Sequence, residues 1–156
     1  MTKFKILSFA LCLIVCLYIT AIICLAYFIS TTSFNPNIPQ AQTVYLCTAA
    51  SYTLLFGTGL FFLQRSCSMF VKRTYFNSKS GRYLKISGYI FIASALFGFA
   101  LAFTKLEWAP KKDIFSDFTS ELGYNLTLLF VGFGLTAVAD IIKKGENIKR
   151  ENDLTI

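Results

Sequence analysis

The chain has no histidine, and its five cysteines, at positions 12, 16, 24, 47 and 67, form no Cys-x-x-Cys pair. Without histidine, the commonest transition-metal ligand and the usual general base of neutral pH are both missing. Between Ile6 and Gln64 there is not one charged residue. A water-soluble fold could not solvate such a stretch, whereas a bilayer accommodates it. The segment Arg65–Lys85 lacks acids: it carries Arg65, Lys72, Arg73, Lys79, Arg82 and Lys85 and no carboxylate. With neither histidine nor clustered acids, no constellation announces a reaction, so no enzyme, cofactor or metal is expected.

What the chain does have is apolar bulk: 55% hydrophobic residues, with 17 Phe and 8 Tyr among 156 residues. This is more than a soluble domain carries. Four apolar runs stand out, at about 6–30, 41–64, 86–104 and 122–142, each long enough at 1.5 Å per residue to cross a hydrocarbon core of about 30 Å. Pro36 and Pro39, with Asn35 and Asn37, break the first run from the second. The expected fold is all-α: one domain, 1–156, forming an integral membrane four-helix bundle with a cytoplasmic loop 65–85 and a cytoplasmic tail 143–156. Twelve of the fifteen basic residues then lie on one side, with Lys105, Lys111 and Lys112 opposite. Such a split sets orientation, and it places both termini inside. The net charge of +7 is therefore read as a topology signal, and no direct nucleic-acid partner is expected. The basic loop would still attract anionic lipid headgroups. A multi-pass protein of the inner or plasma membrane follows.

Rows of small residues at four-residue spacing occur on each run. They comprise Ser8, Cys12, Cys16, Thr20 and Cys24; then Ala49, Thr53 and Gly57; then Ser94, Gly98 and Ala102; then Gly132 and Thr136. Residues four apart stack on one helix face, and small side chains let neighbouring backbones approach. Cys16, Thr20, Gly57, Gly98 and Gly132 are thus the candidate helix-packing positions. Cys24 and Cys47 stand at similar depth, but no basic group that would activate either thiol lies nearby. Asp140 precedes Lys143 and Lys144 by three and four residues, the spacing of an interfacial ion pair. The tail closes on Leu154, Thr155 and Ile156, large apolar residues around a threonine, which make a candidate partner-binding peptide.

The ending Gly145-Glu146-Asn147-Ile148-Lys149-Arg150-Glu151-Asn152-Asp153-Leu154-Thr155-Ile156 resembles the C-terminus of a bacterial membrane family catalogued as domain of unknown function 2975. Phe76-Asn77 followed by Leu84-Lys85-Ile86-Ser87-Gly88 is similar to that family's approach to its third helix. Arg73-Thr74-Tyr75 departs from the Gly-x-Pro/Ala-Phe lead-in of many members. The resemblance implies four helices over nearly the whole chain. It also implies a small helix-turn-helix regulator as a neighbour, which is an association and not a mechanism.

The expected function is non-catalytic: a regulatory or accessory membrane protein that engages a cytoplasmic protein through loop and tail. A small oligomeric channel or transporter is the second reading, and a membrane thiol oxidoreductase the third. A homo-oligomer is compatible with all three.

Overall fold

The chain's three prolines, Pro36, Pro39 and Pro110, divide it where a helix cannot continue. The computed structural model describes residues 2–33, 40–71, 78–108 and 114–154. All of these are helical: α1 (Thr2–Ser33), α2 (Gln40–Val71), α3 (Ser78–Trp108) and α4 (Ile114–Leu154). No proline falls inside any of them.

Each helix outruns its apolar run, because no proline stands in its polar flanks. The basic segment expected as a loop is mostly helix. Arg65 to Val71 ends α2, and Ser78 to Lys85 begins α3. The tail, too, continues as helix through Leu154.

The helices pack in chain order, α1 on α2, α2 on α3 and α3 on α4, with the α3–α4 contact the most extensive. Two rows on α3 make it the central element. Ser80, Ser87 and Ser94 recur every seven residues, each 0% exposed. Gly81, Gly88, Ala95 and Ala102 recur one position later and are also buried. A seven-residue period keeps one seam facing a neighbour along the whole helix, and small residues let that neighbour come close. The serine row faces α2, where Ser87 Oγ donates to Gly59 O at 2.9 Å and Ser66 Oγ to Ser80 O at 3.1 Å. The glycine–alanine row faces α4, with Gly81 against Ile142 and Gly88 against Gly132 and Thr136. Both pairings run antiparallel. α1 lies outside, held by Tyr18 and Ile22 against Gly57 of α2.

The interior is small. One cluster joins Leu84, Ala139 and Ile142 with Leu63, Phe70 and Leu135, and a second joins Phe91, Ala95 and Leu128 with Phe56 and Leu60. Large side chains instead point outward: Phe9 and Phe130 are each 71% exposed and Ile141 65%. That inversion suits a hydrocarbon solvent, where burying an apolar side chain gains nothing over lipid and close backbone packing holds the helices together.

Among the described residues, α1, α3 and α4 each carry a stretch long and apolar enough to cross a membrane: Ile6–Cys24, Lys79–Ala102 and within Phe118–Asn152.

Candidate functional site

Polar side chains inside this apolar frame gather at two levels. The first surrounds Asn125 of α4, which is 4% exposed. It fits because Gly98 of α3 has no side chain: a Cβ there would fall inside the Asn125 carboxamide. Tyr52 of α2 donates its hydroxyl to Asn125 Oδ1 at 3.4 Å, a long bond. Tyr124 is a neighbour of Tyr52. Next to them, Tyr18 of α1 donates to Thr53 O at 2.9 Å. Hydroxyl and amide groups thus tie α1 to α2 and α2 to α4 at one level, with Gly98 of α3 packed against it, where an unpaired polar group would be costly.

The second level lies where α2 and α3 approach their connection. Lys85 of α3 meets Asp140 of α4, Nζ to Oδ1, at 2.8 Å, and both side chains are partly exposed. The Lys85 ammonium also stands 6.0 Å from the Tyr89 ring centroid. On the other side of α3, the Arg65 guanidinium sits over the Tyr83 ring at 5.2 Å. Tyr83 in turn stacks on Phe62, with centroids 6.1 Å apart. Ser80 Oγ, fully buried between these two sides, has no hydrogen-bond partner among the described residues.

The expected packing residues separate into two groups. Gly57, Gly98 and Gly132 stand at helix contacts, against Tyr18, Asn125 and Ile92 respectively. Cys16 and Thr20 do not: both are exposed, as are Cys12 and Cys24. α1 turns Leu11, Val15, Tyr18 and Ile22 toward α2, a three-four alternation on the other side of the helix from the four-spaced cysteine row. Large side chains filling a glycine notch, and not the small row, make that contact. Asp140, expected beside Lys143 and Lys144, takes its ion-pair partner from α3, because the α3–α4 packing brings Lys85 across. Phe62 is half-buried in its stack with Tyr83. Leu154 is the last residue of α4, and Thr155 and Ile156 lie outside the described residues.

All five cysteines are free. Cys67, on the helical end of α2, is half-buried, and that burial pushes its thiol up from the ordinary range. No group of three Cys, Asp or Glu side chains among the described residues could hold a metal ion. The residues that reading by four-residue rows missed are Ser80 and Ser87 of α3 and their α2 partners Ser66 and Gly59. The seven-residue recurrence of Ser80, Ser87 and Ser94 was the available signal.

These features define an all-α protein of membrane character, with four serially packed helices tied by polar contacts at two levels. The chain belongs to the family described as Protein of unknown function (DUF2975), whose model matches residues 26–156. The match begins near the end of α1, so most of that helix lies outside it. No curated protein and no solved structure matches the chain.

Proposed function

We propose that this chain is a non-catalytic, multi-pass protein of a bacterial inner membrane that presents the end of α4 to a cytoplasmic protein. The observation that carries this reading is the overhang of α4. Among the described residues its last buried contact with α3 is Ile142 against Gly81, yet the helix runs on to Leu154. Twelve further residues extend about 18 Å at 1.5 Å per residue. Along them Lys143, Lys144, Ile148, Lys149, Arg150 and Glu151 are exposed, and Ile148 is 59% exposed. An isolated helix of this length is marginal in water. A partner that packs on Ile148 and pairs the flanking charges would stabilise it, in the helix-in-groove manner. The helix-turn-helix regulator implied by the family resemblance is the partner to try first.

A photo-crosslinking amino acid at Ile148, compared with one at Phe130, tests this in cells. The expected result is a discrete adduct from position 148 that is lost on Lys149→Glu/Arg150→Glu, with only lipid adducts from position 130. Absence of any protein adduct at 148 while the protein remains folded in the membrane would sink the reading.

A further inference from the structure

The groove between α2 and α3, on the side away from α4, combines a fixed cation with an aromatic wall. We propose that it binds an anionic phospholipid, the phosphodiester at Arg65 and Lys79 and the upper acyl chain along Phe61, Phe62 and Tyr83.

Charge is the first argument. No acid precedes Glu107 in the sequence, so α1, α2 and nearly all of α3 offer no carboxylate to Arg65. Among the described residues Arg65 is partnered by the Tyr83 ring and by no carboxylate. Asp140 is engaged by Lys85 on the α4 side of α3. A guanidinium lying over a ring uses its face, and its edge N–H donors remain free to grip a phosphate in a planar, two-point fashion.

Geometry is the second. Lys79 precedes Tyr83 by four residues and is exposed, so it shares the Tyr83 face of α3 one turn nearer the helix start. The antiparallel pairing that sets Ser66 against Ser80 brings Arg65 to the level of Lys79. One step further along the groove come Tyr83 stacked on Phe62, and Phe61 edge-on to Phe62 with centroids 5.9 Å apart. Phe61 is 45% exposed. The order along the groove is therefore cations, then a ring with a hydroxyl, then bare rings. This is the polarity gradient of a lipid from phosphate to chain, and tyrosine suits the boundary between them. An acidic protein segment would meet the same cations but would leave the aromatic wall unused, so the amphiphile is favoured.

The test uses the full chain purified in a neutral maltoside detergent, with native mass spectrometry after adding palmitoyl-oleoyl phosphatidylglycerol or phosphatidylcholine. Phosphatidylglycerol should be retained in preference. Arg65→Gln and Lys79→Gln should each lower its retention roughly fivefold, the effect of about one interfacial charge. Arg150→Gln, on the overhang of α4, should change nothing, and neither should deletion of residues 147–156, which separates this site from the partner surface. Arg65→Lys keeps the charge and tests the ring-held geometry without threatening the fold, and its retention should fall between wild type and Arg65→Gln. Equal retention of the two lipids, or unchanged retention in both glutamine variants, would overturn the assignment. Displacement of the lipid by excess glycerol phosphate or by a poly-glutamate peptide would overturn it as well, in favour of a soluble ligand.

Discussion

Gly88 of α3 and Gly132 of α4 occupy each other's side-chain space. A Cβ on Gly88 would lie 2.8 Å from the Gly132 carbonyl oxygen, and one on Gly132 would lie 2.9 Å from that of Gly88. Backbone meets backbone here, so nothing flexible can yield. The crossing point of the two most extensively packed helices is therefore set by two missing side chains.

Gly88→Ala or Gly132→Ala should destabilise the bundle by about 1–3 kcal/mol, the usual cost of overpacking a close contact. Gly134→Ala serves as the control, since nothing lies within 4 Å of its Cβ position. There the substitution should be neutral or stabilise by up to about 1 kcal/mol through helix propensity. Unfolding in mixed detergent micelles measures all three. Equal losses at Gly88 and Gly134 would remove the close-contact explanation.

Gly98 and Asn125 make a second pair, with a different logic. The obstacle to a Cβ at Gly98 is the Asn125 side chain, 4% exposed and held by Tyr52. Gly98→Ala alone should therefore weaken the fold. Combining it with Asn125→Ala should recover part of the loss, because the alanine methyl then occupies space the amide has left. The double variant melting below both single variants would show that the two residues do not share that space.

The helices themselves were readable from apolar length and proline position, since those two quantities decide where a helix survives in lipid. Gly57, Gly98 and Gly132 were legible as contacts because a glycine in an apolar helix has few other uses. Cys16 and Thr20 were misread for a physical reason: smallness permits close approach but does not cause it, and α1 approaches α2 through Tyr18 seated on Gly57. The Lys85–Asp140 pair was invisible because it joins residues 55 apart in sequence, and nothing local distinguishes it from the Lys143 and Lys144 pairing. Arg65 over Tyr83 was hidden likewise, by the expectation that 65–85 formed a loop with no rings fixed in place.

Cys67 should react slowly with a water-soluble maleimide, in spite of lying beyond the apolar run of α2. Burial raises its pKa, so less thiolate is present near neutral pH than in a free cysteine. Alkylation should accelerate only at a pH above the ordinary thiol range, and denaturation should abolish the difference. The neutral thiol is the form the fold prefers. Its contribution to stability is thus complete below the unfolded thiol pKa and is lost as pH rises through the raised folded value. Labelling at pH 7.5 as fast as that of a model peptide, a roughly neutral condition for free thiols, would contradict the burial.

The last prediction concerns the crossing of α2 and, with it, the orientation of the bundle. Hydroxyls along its apolar stretch turn back onto the helix. Ser51 donates to Cys47 O at 2.9 Å and Thr58 to Leu55 O at 2.7 Å, back onto the same helix. Thr53 does the same onto Ala49 O. Such back-bonding satisfies a hydroxyl inside an apolar medium, and Tyr52 is taken up by Asn125. α2 also lies antiparallel along α3 from Ser66 against Ser80 to Gly59 against Phe91, so if α3 crosses the bilayer, α2 has no other course. With twelve of fifteen basic residues on the side of the termini and of the α2–α3 connection, that side should be cytoplasmic. Alkaline phosphatase fused after Asn37 or Pro110 should be active, and after Thr74 or Ile156 inactive. The pair Asn37 and Thr74 decides the matter for α2, because only a helix that crosses can give them opposite readings. The same activity at both would leave α2 lying on one side, and phosphatase activity at Ile156 would invert the whole orientation.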